Sequence, residues 1–222
     1  MAIEVHSTPL GDVALFRLPP LEELLGQVSH SLHPDEQAAA EGWHPRRQRT
    51  FFGGRLALRH LLQRHGADGG APVLHDERGA PTLLSSFDLS ISHKDDLAVA
   101  LLRKRQAGAF VGVDVELLQE RKRDIAKHIL TDTELRHLDG VDDDERAHLT
   151  LRTFSAKEAL YKGLDRFVQR YVGFKEVAID WSQTPAPVRF FLNVEANDAF
   201  RAEVHQLFID DAVVSVVEVC KG

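Results

Sequence analysis

Three carboxylates and a lysine stand at spacings that could bind a cation or move a proton. In Val111-Gly112-Val113-Asp114-Val115-Glu116 the apolar and polar residues alternate. Period two marks a strand, so the valines face a core while Asp114 and Glu116 project together from the other face, beside the open floor left by Gly112. Adjacent carboxylates repel unless something positive offsets them. A hard divalent cation would do so, and Mg²⁺ takes few protein carboxylates together with substrate phosphates. Two acids on a solvated strand edge would give the same pattern. The second signal is Phe154-Ser155-Ala156-Lys157-Glu158-Ala159-Leu160-Tyr161-Lys162. On a helix, Phe154, Glu158 and Lys162 share a face. A Glu-to-Lys pair four apart is an ordinary surface stabiliser of about 0.3–0.5 kcal/mol, but an aromatic residue on that face predicts partial cover.

A third signal is Ser90-Ile91-Ser92-His93 at a strand end, where hydroxyls and an imidazole could bond phosphate oxygens or simply form a polar turn. No G-x-S-x-G elbow accompanies it, so a hydrolase triad is not expected. Arginines crowd one stretch at Arg46, Arg47, Arg49, Arg55 and Arg59. Guanidinium forks suit phosphate oxygens. The run Arg103-Lys104-Arg105 reads as a solvated face.

These residues need elements to hold them. Residues 2–6 and 12–17 read as strands, and 34–65 as helix broken near Gly42 and Pro45. Apolar residues Phe51, Phe52, Leu58, Leu61 and Leu62 recur at helical spacing, and Gly53-Gly54 would allow close approach of a neighbour or a ligand. Residues 66–81 read as loop, 87–92 and 97–102 as strands, and His93–Asp96 as the hairpin turn between them. Residues 109–116 form the strand described above. Thr131 and Glu134 have capping-box spacing, and a long helix is expected over about 144–167. Strands are expected over 174–181, 187–194, 203–209 and 212–219. The fold class is α+β, with mainly antiparallel sheets and packed helices. The chain divides into an N-terminal half, 1–106, and a C-terminal half, 107–222.

The formal net charge of −7 argues against bulk binding of nucleic acid. The single cysteine, Cys220, allows no internal disulfide and reads as a mobile terminal thiol. No signal peptide or apolar run long enough to span a bilayer is evident, so a cytoplasmic protein with no membrane partner is expected.

Order and spacing make the signals specific. S-x-S-H, then G-V-D-V-E, then F-S-A-K-E-A-L-Y-K resembles the 4′-phosphopantetheinyl transferase superfamily, in its larger monomeric surfactin- and enterobactin-type branch, and is closest to the enterobactin-type subgroup. The helix Arg46-Arg47-x-x-x-Phe51-x-x-x-Arg55-x-x-x-Arg59 and the later Val172-Gly173-Phe174 match that subgroup too, so the resemblance runs over roughly 34–180. It implies two similar α/β halves forming a pseudo-dimer within a monomer. The N-terminal half would bind the coenzyme A nucleotide and the C-terminal half would carry the metal-binding carboxylates and catalytic helix. It implies transfer of 4′-phosphopantetheine from coenzyme A, the co-substrate, to a serine of an apo acyl or peptidyl carrier domain. Fatty-acid, polyketide, nonribosomal peptide and siderophore synthesis all use such carriers. By the match, Asp114, Glu116 and Glu158 bind Mg²⁺; Glu158 and Lys162 are catalytic; Arg47, Arg55, Ser92, His93 and Lys157 contact coenzyme A. The sequence departs from the family at Gly79-Ala80-Pro81, where a lysine is usual, and His75 or Arg78 would substitute. The rival is a metal-dependent phosphodiesterase or pyrophosphatase that uses water in place of the serine.

Overall fold

The computed structural model describes residues 2–67, 70–118, 125–192 and 200–222. The chain divides into two compact units, Met1–Gln106 and Ala107–Gly222.

In the first unit, strands β1 (Ile3–Thr8), β2 (Gly11–Arg17), β3 (Phe87–Lys94) and β4 (Leu97–Lys104) form an antiparallel sheet in the order β1-β2-β4-β3. The helices are α1 (Leu21–Ser31), α2 (Pro34–Ala39) and α3 (Pro45–Arg64). Residues Ala14, Phe16, Ala98, Ala100 and Leu102 form one core with Leu58, Leu61 and Leu62 of α3. The other face of β2 and β4 is buried as well, which accounts for the unbroken apolar run over 97–102. Helix α3 begins at Pro45, and its N-cap His44 accepts from Arg46 N at 3.3 Å. A proline at the first helical position surrenders only a donor that would be orphaned anyway. Gly53 and Gly54 let α3 lie close on Leu18 and Ile91, so their role is tight packing.

Helix α1 is absent from the sequence-based reading; it buries Leu24 and Val28, four residues apart. Strand β3 also runs two residues further than expected. His93 and Lys94 pair with Ala98 and Leu97, and the turn is only Asp95-Asp96, with Asp95 at φ 47°. Aspartate tolerates this left-handed conformation better than most residues.

In the second unit the strands are β5 (Ala109–Leu117), β6 (Val177–Ile179), β7 (Ala186–Phe190), β8 (Phe200–Ile209) and β9 (Ala212–Lys221). Their order is β5-β9-β8-β7-β6, with every described pairing antiparallel. Two short helices, α4 (Ala126–Ile129) and α5 (Asp132–Arg136), precede the long α6 (Asp143–Val168), which lies on β5 and β9. Asp142 caps α6 by accepting from Asp144 N and Glu145 N. Three acids in its first turn suit the positive end of the helix dipole. The expected strand over 174–181 is a 3₁₀ turn, Phe174–Glu176, followed by the short β6. The expected strand over 187–194 is β7, ending at Phe190, and residues 193 and 194 lie outside the described residues. Cys220 is part of β9 rather than a loose tail. The α+β class with antiparallel sheets and packed helices is therefore what the chain adopts.

Candidate functional site

The arginine-rich helix sorts its cations by face. Arg46 bonds Asp95 at 2.7 Å, and Arg49 bonds Asp96 at 2.6 Å and Pro19 O at 2.6 Å. These two, three residues apart, pin the β3–β4 turn to α3. Arg59 lies on the other side. It donates to the fully buried Glu36 at 2.8 Å and to Ala71 O at 2.8 Å. The same Glu36 oxygen accepts from Val73 N at 2.9 Å. Glu36 and Arg59 thus moor the segment that leads to His75.

Arg47, Arg55 and His75 meet around aromatic rings. The Arg47 guanidinium lies 4.1 Å from the Trp43 ring centroid, and Trp43 meets Phe51 edge-on at 5.1 Å. Phe51 carries the Arg55 guanidinium at 3.7 Å and stacks with His75 at 5.5 Å. Burial pulls the Arg55 pKa down to about 10, Glu36 opposing and Arg59 adding to the effect. Burial also lowers the His75 pKa, and the charges on Arg55 and Arg47 act the same way. Arg55 Nε donates to Val73 O at 3.2 Å, but its Nη2 is buried with no hydrogen-bond partner among the described residues. An unmet guanidinium donor beside a second cation and an imidazole fits a phosphate.

Arg78 is exposed in the turn after His75, where its N–H and that of Ala80 both donate to Asp76. Ser92 and His93 separate. His93 shares the α3-facing side of β3 with Ile91, which packs on Gly54, whereas the buried Ser92 points to the opposite face. Successive strand residues cannot serve one group from one face.

In the second unit, Asp114 and Glu116 are both buried, at 6% and 7% exposure, on the face of β5 that meets α6. The floor beside them is filled, contrary to expectation. A Cβ on Gly112 would stand 1.9 Å from Ala159 O, so the glycine exists to let the α6 main chain lie against β5. Lys162, further along α6, donates to Asp114 Oδ1 at 3.0 Å and to Val113 O at 2.8 Å. Glu158, one turn earlier, is partly buried. Its charge is felt at the Tyr161 phenol, whose pKa is raised first by burial and then by Glu158.

Asp114 and Glu116 stand on β5, and Glu158 stands on α6, the helix that packs on it. Among the described residues no three Asp, Glu, His or Cys side chains gather as a ready-made cation site. The positive group against Asp114 is the Lys162 ammonium. The donor chemistry still fits Mg²⁺, which binds through one or two carboxylates plus substrate phosphates.

Lys157 is the clearest departure. It was expected to touch the ligand, but it is 0% exposed. Its ammonium donates to Glu134 at 2.7 Å and to Ile129 O and Phe174 O, both at 2.9 Å. Three donors are all an ammonium has, so Lys157 has none left for a ligand. Arg103 departs as well: it is buried, 3.4 Å from Asp88, rather than on a solvated face. Trp43 and Glu36 carry no local signal in the sequence, and the Thr131–Glu134 capping spacing does not reveal the lysine that Glu134 holds.

The family model described as the 4′-phosphopantetheinyl transferase superfamily matches residues 110–217, and that of the 4′-phosphopantetheinyl transferase N-terminal domain matches residues 35–103. Between them they take in most of the chain. The 4′-phosphopantetheinyl transferase Npt of Nocardia iowensis is 28% identical over 147 residues, 66% of this chain and 65% of that protein. The match thus spans just under two thirds of that relative's length. Among solved structures, the holo-ACP-synthase of Plasmodium yoelii has a TM-score of 0.42 at 13% identity, over 50% of this chain and 94% of its own. An ACPS–CoA complex from Chronobacterium ammoniagenes has a TM-score of 0.39 at 15% identity, over 51% of this chain and 98% of its own. No helix among the described residues is long and apolar enough to cross a membrane.

Proposed function

The chain belongs to the 4′-phosphopantetheinyl transferase superfamily, and from that premise we propose that it moves the 4′-phosphopantetheine of coenzyme A onto a serine of an apo acyl or peptidyl carrier domain. The other product is adenosine 3′,5′-bisphosphate. The observation that carries this reading is the buried, unmet Nη2 donor of Arg55, set beside Arg47 and His75 on aromatic rings. Such a site suits the phosphate-rich nucleotide end of coenzyme A.

In this reading residues 1–106 hold the nucleotide end, through Arg47, Arg55 and His75, with Arg78 and His93 as further contacts. Residues 107–222 act on the diphosphate. Asp114, Glu116 and Glu158 would hold Mg²⁺, which when bound supplies positive charge to the diphosphate oxygens. The serine Oγ forms a bond to the pantetheine-side phosphorus as the bond to the bridging oxygen breaks. Glu158 takes the serine proton. Lys162 offsets negative charge on the leaving oxygen, and its bond to Asp114 orients the ammonium beforehand. The enzyme works as a cytoplasmic monomer. Water as the acceptor, the phosphodiesterase alternative, gains no support from the family.

The test is intact-mass analysis of a panel of apo-carriers after incubation with the protein, coenzyme A and Mg²⁺. At least one should gain one phosphopantetheine group. Adenosine bisphosphate released equally fast without carrier would overturn the proposal. Glu158→Gln should lower transfer by about 10²–10⁴-fold, the range for loss of a general base, with an unchanged circular dichroism spectrum. Near-normal turnover would remove Glu158 from the mechanism.

A further inference from the structure

A buried ion pair is a poor device for stability. Desolvating both charges costs about what their attraction returns, and apolar replacements of the same volume are often neutral or stabilising. Lys157 and Glu134 form such a pair at 2.7 Å, with Lys157 fully buried and Glu134 nearly so. Burial lowers the Lys157 pKa, and Glu134 opposes that shift. The arrangement calls for a role other than stability.

Its connections supply one. Lys157 reaches Ile129 O at the end of α4, Glu134 on α5 and Phe174 O in the 3₁₀ turn. Glu134 accepts from Thr131 N and Oγ1 through Oε2, and from Ile179 N of β6 through Oε1. Four segments are tied through one side chain of α6, the residue immediately before Glu158. The tie to Phe174 matters most. Its ring packs on Phe154 at 5.6 Å and on Tyr161 at 5.4 Å. Those two positions lie four before and three after Glu158, on the same helix face. Phe174 therefore lines the flank of Glu158 that faces Lys157, and Lys157 holds Phe174 by its carbonyl.

We infer that Lys157 and Glu134 are a positioning pair for Glu158: they touch no substrate and set the wall against which the Glu158 carboxylate is held. This rests on the role given to Glu158 above. A lysine next to the catalytic glutamate in sequence thus acts from the adjoining side of the helix, through packing.

The experiment separates positioning from mere stability. Lys157→Met leaves the Glu134 charge buried and should melt well below wild type. The double variant Lys157→Met/Glu134→Gln carries neither charge and should regain most of that loss. Its kcat for carrier modification should nevertheless stay about a hundredfold low, as expected for a displacement near 1 Å at a reacting group. Its KM for coenzyme A should stay within about threefold of wild type, because ground-state binding is untouched. A double variant with wild-type melting and a kcat within threefold of wild type would overturn the inference. If the double variant does not fold, Phe174→Leu is measured instead; it removes the ring but leaves the pair, and an unchanged kcat there would equally overturn the inference. The wild-type control separates the two proposals: a wild-type protein that modifies no carrier refutes the transferase reading, whereas an active wild type beside an equally active double variant refutes only the positioning pair.

Discussion

Gly112→Ala tests how tightly β5 and α6 must lie. An alanine Cβ would stand 1.9 Å from Ala159 O, 2.9 Å from Ala159 C and 3.1 Å from Gly163 N. All three are main-chain atoms of α6, so no side-chain rotation relieves the clash. The strand and helix must part by at least about 1 Å, and overpacking of this kind costs about 1–3 kcal/mol, here near the upper end. A loss of that size lowers the melting temperature by roughly 5–15 °C in a unit this small. The same opening pulls Lys162 from Asp114 and Val113 O, now at 3.0 and 2.8 Å, and a misplacement near 1 Å at a reacting group costs about 10²-fold in rate. Calorimetry and the rate of carrier modification measure the two effects. Gly53→Ala is the control: its Cβ would meet a δ-methyl of Leu18 at 2.2 Å, and a leucine side chain can turn away. If Gly112→Ala melts and turns over like wild type, the close approach has no such role.

Two further outcomes follow from the first unit. Arg59→Met leaves the fully buried Glu36 charge without its guanidinium and should cost about 3–5 kcal/mol; Glu36→Gln on top should restore much of it, and denaturant unfolding of both variants checks this. The His75 pKa lies below its ordinary 6.5 because burial, then Arg55, disfavour the imidazolium. The neutral ring is the one folding favours, so its contribution to stability is complete above 6.5 and lost as pH falls through the lowered folded value. A bound phosphate reverses the local field, so coenzyme A binding near pH 6.5 should take up protons. Calorimetry in two buffers of different ionisation enthalpy measures that uptake, and its absence would remove His75 from the phosphate site.

The long-range outline of the fold was legible because period alone sets it. The alternation over 109–116 and the apolar run over 97–102 became β5 and β4, and the helix expected over 144–167 became α6. Short elements escaped. Helix α1 has its apolar signal in Leu24 and Val28, but Gly26 lies between them and Leu25 faces water. The strand expected over 174–181 is not one element because Phe174 and Val177 are apolar for different reasons. Phe174 packs on α6 from a 3₁₀ turn, while Val177 enters the sheet. A local pattern cannot tell two kinds of burial apart.

The cations show a sharper limit. Spacing assigns a residue to a helix face, but which face meets a ligand depends on what the rest of the chain places opposite. Arg46 and Arg49 are no less basic than Arg47 and Arg55, yet they meet Asp95, Asp96 and Pro19 O, which a hairpin and a loop bring to that side. Lys157 and Lys162 stand five apart and so point in well-separated directions. One faces α4, α5 and the Phe174 turn and spends every donor there; the other faces β5 and stays partly open beside Asp114. The same logic explains Asp114 and Glu116. Two acids on a buried strand face demand positive charge, and the chain meets part of that demand with Lys162. An ammonium already held by a carboxylate gives up little entropy when a diphosphate arrives, so the bond that offsets Asp114 in this structure also preorganises the group that would meet the leaving oxygen. Lys162→Arg would keep the charge, but its larger planar fork does not fit a geometry in which one nitrogen serves Asp114 and Val113 O together.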